Sequence, residues 1–392
     1  MKRIRSILLL FRFPPDFAGG SLQASRLMEQ LACRGVEMRV LTTTPANGKA
    51  ARRERAFGGE VIRFPVFGRL FTRDIGLSLR AGWWLLVHSN WDILHISGFS
   101  YFGVLPVWIA RLKRRPVLIK TTVLGRNGPF NPGGSFFARR LLGTYGRADA
   151  IVALSQALED ALRAQPHVGA RILQIPNGVD LELFRPARAG EREKARDSFG
   201  LPRDATVIVT CGMLYPRKNM IALVRAAALM RSRPVCVVMA GPPGPDAAYL
   251  EALRDAGARL PEGARLEILG SLEPERLAAL QRAADVYALL SRAEGLPNSL
   301  LEGMASGLAC VASDIPGAAD VLAAGGGVLV PLDDDQALAD LLDRLASDPA
   351  ERRRLGTEAR RIIEERYSFA RVAGRYLQLY ESLLEGDSRG AA

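Results

Sequence analysis

Short apolar runs, each about the length of one strand, alternate along the whole chain with stretches of helical length. Ser21–Arg34 is one such amphipathic stretch. Parallel strands need long crossover connections, which helices usually supply, so the alternation predicts a mostly parallel sheet with helices on both faces. The predicted strands of the first half are Ser6–Phe11, Glu37–Thr42, Ile93–Ile96, Val117–Thr121, Ala150–Leu154 and Ile172–Ile175.

A second series of the same kind follows a polar, charged segment, Pro186–Pro202, which has the composition of a linker. Its predicted strands are Thr206–Cys211, Val235–Ala240, Leu266–Leu269, Val286–Leu290, Ala309–Ala312 and Gly327–Val330. A chain of 392 residues is too long for one typical core. We therefore predict an α/β protein of two doubly wound domains, 1–185 and 186–365, and a helical tail over 366–392.

The positive charge of the chain is confined to its first half. Residues 1–190 hold 28 Lys and Arg against 12 Asp and Glu, whereas residues 191–392 hold 25 against 29. A basic half attracts phosphates, anionic lipid headgroups or nucleic acid, and a merely solvated Arg-rich surface is the alternative. Because no nucleic-acid-binding motif accompanies the charge, we predict no nucleic-acid partner.

Neither a leader nor a membrane span is predicted. The N-terminal sequence MKRIRSILLLFRFPP is basic and then apolar, but the run Ile7–Phe11 is too short for a signal peptide and is ended by the charged Arg12. No stretch of about 18 uncharged apolar residues exists. Four scattered cysteines without a C-x-x-C pair argue against a structural zinc site and indicate buried thiols in a reducing compartment. We therefore expect a cytoplasmic protein.

The segment Glu294–Glu302, with the sequence EGLPNSLLE, follows the predicted strand Val286–Leu290. Ligands of open parallel sheets bind beyond the carboxyl ends of the strands, which is where this segment lies. Pro297 suits the first position of a helix, and the N-terminal N–H groups of a helix favour a pyrophosphate. A helix rises about 1.5 Å per residue, so Glu302 lies about 7–8 Å beyond Pro297. This span is comparable to the reach of a pyrophosphate between two sugars. One of the carboxylates Glu294 and Glu302 could then bind the donor sugar and the other the ribose, and an ordinary solvated helix start is the alternative.

The same segment, continued by Gly303–Gly307, resembles the donor-site signature of family 4 retaining glycosyltransferases, the glycosyl transferase group 1 superfamily. Further matches follow in the order of that family and cover almost the whole chain. They are Pro15–Gly20, Ile175–Pro186, Gly212–Asn219, Ala240–Gly244, Ala283–Val286 and Ala312–Gly317. The resemblance implies the GT-B fold, in which two Rossmann-like domains face each other across a cleft. It also implies that a terminal helix, around Tyr367–Leu384, crosses back to the first domain.

The resemblance also implies roles in binding a nucleotide-diphosphate sugar. Glu302 would bind the ribose hydroxyls, Glu294 would contact the donor hexose, and Lys218 would neutralise the leaving diphosphate. Gly19 and Gly20, which have no Cβ, would let a loop of the first domain approach the donor closely. The phosphates would be bound by the backbone of Leu296, Pro297, Asn298 and Ser299.

A cation at Lys218 has a clear chemical purpose. Breaking a glycosyl–phosphate bond builds charge on the departing diphosphate, and without a metal a cationic side chain must stabilise that charge. Lys218 begins a helical segment after the strand Thr206–Cys211, and Arg217 beside it is a possible second cation. We therefore expect that neither a metal nor another cofactor is required. Asp333–Asp335 imitates a metal-binding motif, but it precedes a predicted helix, where acidic residues complement the helix dipole.

The chain departs from the family pattern in two places that concern the chemistry. Met213 stands where the family usually has Arg, so one cation is missing unless Arg217 supplies it. The segment Lys120–Arg126 follows a predicted strand at a place where many members carry a His, and it contains none. His95 and Arg126 are the candidates for the acceptor side, and a structural role for His95 is the alternative.

Basic and aromatic residues of the first half suggest where an acceptor comes from. One segment includes Trp108 and ends in the basic run Arg111–Arg115. Another amphipathic stretch contains Trp83 and Trp84, and Phe136–Arg140 mixes aromatic and basic residues. Such clusters can seat a protein on an anionic membrane, at its inner face for a cytoplasmic protein, and this suits a lipid-linked acceptor. Core aromatics beside solvated charges are the alternative.

Together with the resemblance, these observations predict a hexosyltransferase, and the resemblance implies that the transfer retains the anomeric configuration. The enzyme would move a sugar from a nucleotide-diphosphate sugar to a glycan or lipid-linked acceptor, in the synthesis of cell-surface polysaccharide, such as lipopolysaccharide, or of glycolipid. One alternative is a GT-B relative that acts as a nucleotide-sugar epimerase, because the usual His is missing. Another is a non-catalytic carbohydrate-binding homologue, against which the intact Lys218, Glu294 and Glu302 argue.

Overall fold

The computed structural model describes residues 3–15, 19–45, 50–68, 70–121, 143–165 and 168–389. The chain divides into two compact units, each built on its own sheet. The first unit comprises Met1–Gly178 together with Phe369–Ala392, and the second comprises Val179–Ser368.

The first unit alternates strands and helices as its sequence predicts. Its elements in chain order are β1 (Arg5–Leu9), α1 (Gly19–Ala32), β2 (Glu37–Thr43), β3 (Arg53–Ala56), β4 (Gly59–Phe64), α2 (Leu70–Val87), β5 (Ile93–Ser97), a 3-10 turn (Tyr101–Gly103), α3 (Val104–Leu112), β6 (Val117–Lys120), β7 (Ala150–Ala153), α4 (Gln156–Arg163) and β8 (Arg171–Gln174). In the described ranges the strands form one sheet in the order β3-β4-β2-β1-β5-β6-β7-β8, parallel except for β3. Every residue of β6 and β7 is buried, because helices cover both faces of a parallel sheet.

All six predicted strands of the first half are confirmed, with ends that differ by one or two residues. The hairpin of β3 and β4 was not predicted. In β3 the sequence RERA is polar and alternately exposed, as suits an edge strand, so it carries no apolar signal. The turn between the two strands holds Phe57 and Gly58 at positive φ values of 53° and 78°. That Gly and its neighbour Gly59 were the available signs of a hairpin.

The second unit continues the alternation with a sheet of parallel strands. Its elements in chain order are α5 (Glu191–Ser198), β9 (Thr206–Cys211), a 3-10 turn (Pro216–Lys218), α6 (Met220–Leu229), β10 (Val235–Ala240), α7 (Ala247–Ala258), β11 (Ala264–Ile268), α8 (Pro274–Ala283), β12 (Val286–Leu289), α9 (Asn298–Ala305), β13 (Ala309–Ser313), α10 (Pro316–Leu322), β14 (Gly327–Val330), α11 (Asp335–Ser347) and α12 (Pro349–Arg366). The strand order is β11-β10-β9-β12-β13-β14. All six strands predicted for this half are confirmed.

The terminal helix α13 (Phe369–Arg389) belongs to the first unit, as the resemblance implied. Its side chains Val372, Tyr376 and Tyr380 are buried in the core that β1 and α1 also line. Gly178 allows this return, because a Cβ there would lie 2.4 Å from the ring of Phe369. The helical tail predicted over 366–392 therefore corresponds to α13, whereas α12 before it belongs to the second unit.

The chain passes between the units earlier than the predicted boundary after residue 185. Val179–Arg185 belongs to the second unit, because Phe184 is buried there and Arg360 of α12 donates to the carbonyl oxygens of Leu181 and Phe184 at 3.4 and 2.8 Å. The predicted tail from residue 366 likewise begins later, since α12 ends at Arg366 and the first unit resumes at Phe369.

The four cysteines are all free thiols. Cys211, Cys236 and Cys310 are buried in strands of the second unit, as expected for small apolar side chains. Cys33 is exposed, and the prediction of a buried thiol is wrong for it. It lies one residue beyond α1, in the turn that leads to β2.

No helix within the described ranges is long and apolar enough to cross a membrane.

Candidate active site

The site lies at the carboxyl edge of the second sheet. The neighbouring strands β9 and β12 both end there. The 3-10 turn Pro216–Lys218 follows β9, and the loop that carries Glu294 follows β12. Residues far apart in the sequence thus reach the same edge, which is the usual place of a ligand in a parallel sheet.

Lys218 and Glu294 form a largely buried ion pair. The Nζ of Lys218 lies 2.7 Å from Oε1 of Glu294, and Nη1 of Arg217 lies 3.3 Å from Oε2 of the same carboxylate. Burial by itself would raise the pKa of Glu294, but the charges of Lys218 and Arg217 outweigh it and hold that pKa below its ordinary value. Two cations therefore converge on one ionised carboxylate.

Two glycines leave room for the Lys218 side chain to lie against the backbone at the end of β9. Gly212 has a φ of +144°, and a Cβ there would lie 3.3 Å from Cε of Lys218. Gly241, which follows β10, has a φ of +152°, and its Cβ would lie 1.9 Å from the carbonyl oxygen of Gly212. Gly317 allows a similarly close approach to Glu294, because a Cβ on Gly317 would lie 2.5 Å from the carbonyl oxygen of Glu294.

Replacing Gly241 with alanine should therefore damage the site and the fold together. The new Cβ would meet backbone at a φ that L-residues rarely adopt, so we expect the free energy of unfolding to fall by about 2 kcal/mol or more. Gly190→Ala is the matched control, because Gly190 also has positive φ, +74°, but has open space around it. Urea titrations of both variants would measure this, and equal losses would show that the close approach to Gly212 does not matter.

Helix α9 begins at this edge. Pro297 is its N-cap and not its first helical residue as predicted, and the carbonyl oxygen of Pro297 accepts from the N–H groups of Leu300 and Leu301. The positive end of the helix dipole, with Asn298 and Ser299 in its first turn, thus lies beside the loop of Glu294. Leu296, just before it, is buried.

Glu302, in the second turn of α9, is half-buried and has an unusual environment. Its carboxyl forms no hydrogen bond or ion pair with any residue that the structure describes. Desolvation raises its pKa to about 8 from an ordinary value of 4.5. The pKa of the Cys211 thiol is raised by burial first and then by Glu302, while Lys218 opposes the rise. The Lys218 side chain lies beside Gly212, the residue that follows β9.

The structure thus brings together the predicted donor-site residues of the second unit. These residues are Arg217, Lys218, Glu294, Leu296, Pro297, Asn298, Ser299 and Glu302. Gly19 and Gly20 lie in the first unit, where they are exposed at the start of α1, and a Cβ on Gly20 would meet nothing within 4 Å. Met213 has an exposed side chain, and Arg217 lies beside Glu294.

His95 does not face a ligand, and its assignment to the acceptor side is corrected. It is only 1% exposed, its Nδ1 lies 2.8 Å from the hydroxyl oxygen of Tyr380, and its ring stacks on Tyr376 of α13. Burial, together with the charge of Lys120, lowers the pKa of His95 to about 3. It is therefore a neutral residue of the core. Arg126, the other candidate on the acceptor side, lies outside the described residues.

Sequence reasoning missed a second ion pair that supports the site. Arg292 binds Asp333 with both guanidinium nitrogens at 2.6 Å, and its backbone N–H donates to the carbonyl oxygen of Arg217 at 2.8 Å. The ion pair connects the loop of Glu294 to the segment after β14, and the backbone hydrogen bond connects the same loop to the turn of Arg217. The available signal was a cation two residues before Glu294.

The acidic run Asp333–Asp335 is confirmed as a helix start. Asp334 is the N-cap of α11 and accepts from the N–H of Ala337 at 2.9 Å. Asp335 pairs with Arg225, and Asp333 with Arg292, so each of the three carboxylates already has a partner of its own.

A surface cavity of about 820 Å³ lies elsewhere, beside the β3–β4 hairpin of the first unit. It is lined by four arginines, but it holds none of the predicted site residues. Two of these arginines, Arg39 and Arg53, pair with Glu60, so much of the positive charge of the cavity lining is neutralised within the protein.

Sequence comparisons match both units to described families. Residues 191–362 match "Glycosyl transferases group 1", and residues 18–178 match "Glycosyl transferase 4-like domain". A D-inositol 3-phosphate glycosyltransferase of Saccharomonospora viridis is 33% identical to this chain, and the match covers 94% of this chain and 90% of that protein.

Two solved structures share the fold described above. Sucrose-phosphate synthase from Thermosynechococcus elongatus matches with a TM-score of 0.80 and 23% identity, over 98% of this chain and all of that one. HepE of Anabaena, solved in complex with UDP and glucose, matches with a TM-score of 0.76 and 20% identity, over 97% of this chain and all of that one.

Proposed function

This chain belongs to the group 1 glycosyl transferases and has their GT-B fold, and we propose that it transfers a hexose from a nucleoside diphosphate sugar. The acceptor we propose is a glycan or a lipid-linked sugar, in the synthesis of cell-surface polysaccharide or glycolipid. The cell compartment we propose is the cytoplasm, with contact to the inner face of the membrane through the basic first unit.

One observation carries the proposal. Lys218 and Arg217 meet Glu294 at the carboxyl edge of the second sheet, beside the N-terminal end of α9. Glu302, a half-buried carboxyl without a partner among the described residues, lies in the second turn of that helix. Cations and a helix N-terminus suit a diphosphate, and carboxylates suit the hydroxyls of a ribose and a hexose.

These residues can divide the work of the transfer. The bond between the anomeric carbon and the phosphate oxygen breaks, and the acceptor hydroxyl oxygen forms a new bond to that carbon. The acceptor proton goes to the leaving diphosphate. Lys218 and Arg217 stabilise the charge that builds there, which is the term with the largest effect in such reactions. When Lys218 turns to the diphosphate, Glu294 can accept hydrogen bonds from the hexose hydroxyls.

The donor can be identified by its effect on thermal stability. A ligand that binds only the folded chain raises its melting temperature, so at least one member of a panel of UDP-, GDP-, ADP- and TDP-glucose should raise the melting temperature of this chain.

Incubating the best donor alone, without acceptor, separates a transferase from an epimerase. Conversion of the donor to its epimer would contradict the transferase proposal.

We expect the first product to keep the anomeric configuration of the donor. In the proposed route the acceptor attacks from the face that the diphosphate leaves, with the leaving phosphate as base, so no protein nucleophile is needed. NMR of the sugar released by slow hydrolysis of the donor, recorded before the anomers equilibrate, would show its configuration. An inverted first product would reject retention while leaving the donor site itself intact.

A further inference from the structure

Helix α2 is apolar on both sides, although only one side faces the core. Leu77, Ala81 and Leu85 are fully buried against the sheet. On the opposite side an apolar residue recurs at every fourth position. These residues, which we call the α2 stripe, are Phe71 (56% exposed), Ile75 (38%), Leu79 (58%), Trp83 (65%) and Val87 (52%). An exposed apolar patch of this kind marks a surface that binds a protein partner or a membrane.

Helix α3 widens the stripe. It packs beside α2, where Gly82 allows the approach, because a Cβ there would lie 2.7 Å from Leu105. Trp108 and Leu112, one turn apart on α3, are exposed. The Arg147 guanidinium lies 4.7 Å from the centre of the Trp108 ring. The alternative that these aromatics belong to the core is therefore wrong for Trp83 and Trp108.

The surface around the stripe is positively charged. Arg80, Arg111 and Arg114 are exposed on or next to the two helices. Between residues 65 and 115 the acidic residues are Asp74 and Asp92, and both are buried. Asp92 is also paired with the guanidinium of Arg5, at 2.7 Å. No carboxylate of this segment therefore offsets the exposed arginines.

We propose that the α2 stripe docks onto an anionic lipid bilayer. The helix would lie in the plane of the membrane, with its apolar side chains at the boundary of headgroups and acyl chains and the arginines on anionic headgroups. An 18-residue helix is about 27 Å long, so the contact is extended. This inference rests on the membrane contact proposed above, to which it gives a specific surface, and it does not depend on the proposed transfer reaction.

A second copy of the chain is a poorer occupant of the same surface. A twofold dimer presents the same patch from both partners. The exposed arginines of both partners would then enter one contact, and like charges in a partly desolvated contact repel each other. An anionic bilayer instead satisfies the apolar stripe and the arginines together.

Vesicle sedimentation of the full chain tests the proposal. The chain should sediment with vesicles of phosphatidylcholine and phosphatidylglycerol, and much less with phosphatidylcholine alone. The double variant Leu79→Ser/Trp83→Ser should lower the partition coefficient by about tenfold or more, since two inserted side chains are lost. Both side chains are exposed, so the melting temperature should not change.

Matched variants separate the stripe from apolar surface in general. Leu229→Ser/Leu332→Ser removes two exposed leucines of the second unit and should leave vesicle binding unchanged. Arg80→Glu/Arg114→Glu should weaken binding to the anionic vesicles only.

Three outcomes would overturn the inference. The first is a wild-type chain that does not bind phosphatidylglycerol vesicles at low salt. The second is binding that survives Leu79→Ser/Trp83→Ser. The third is a dimer in sedimentation equilibrium that this variant dissociates, which would assign the stripe to a second copy.

Discussion

Replacing Lys218 with methionine is expected to lower kcat by about a hundredfold to a thousandfold, the loss found when one stabilising group is removed from a developing negative charge. Methionine keeps most of the volume of the side chain and removes the amine that lies 2.7 Å from Glu294. The measurement is single-turnover transfer with the nucleotide sugar that most raises the melting temperature.

Arg217→Met is the comparison for this prediction. The Arg217 side chain is 42% exposed, against 15% for Lys218, and lies farther from the carboxylate. Charges in a drier environment act more strongly, so the Arg217 variant should lose less activity. A larger loss at Arg217 than at Lys218 would mean that the main cation has been assigned to the wrong residue.

A structural role of Lys218 can be separated from a catalytic one. Lys218→Met leaves Glu294 with a single cationic partner and should cost about 1–3 kcal/mol of unfolding free energy. The double variant Lys218→Met/Glu294→Gln removes the unbalanced charge as well and should recover most of that stability, but not the activity. Recovery of both would indicate that Lys218 serves only the fold.

Replacing Glu302 with glutamine should remove the pH dependence that this carboxyl imposes on stability. Its pKa of about 8 in the folded protein lies above the ordinary 4.5, so the folded chain binds this proton more tightly than the unfolded chain does. The stability that results is complete below pH 4.5 and is lost as pH rises through 8. From about pH 5 to pH 9 we expect the wild type to lose about 2 kcal/mol or more relative to Glu302→Gln.

Urea titrations across this pH range would measure the difference. Glu273→Gln, at an exposed position before α8, is the matched control, and its unfolding free energy relative to the wild type should not change with pH.

Calorimetry with the nucleoside diphosphate tests the site itself. Glu302→Ala should weaken binding by about 1 kcal/mol or more, the scale of a lost buried hydrogen bond. Unchanged affinity would remove Glu302 from the donor site.

Much of the second unit could be predicted because its signals are local. Runs such as Val235–Ala240 and the start of α9 are visible in a few neighbouring residues, and a parallel sheet puts the ends of its strands at one edge. The hairpin of β3 and β4 could not be predicted in this way, because an edge strand is held by backbone pairing and its side chains carry no apolar pattern.

The sequence by itself determined the two α/β units, the order of their strands along the chain and the loops that hold Lys218, Glu294 and Glu302. Only the tertiary structure decided which of these side chains touch. Lys218 and Glu294 are 76 residues apart, and His95 is covered by a tyrosine 285 residues later. It also decided that one side of α2 stays exposed. The reason is physical: hydrophobic spacing specifies a helix locally, but what covers each face depends on elements that are distant in the sequence.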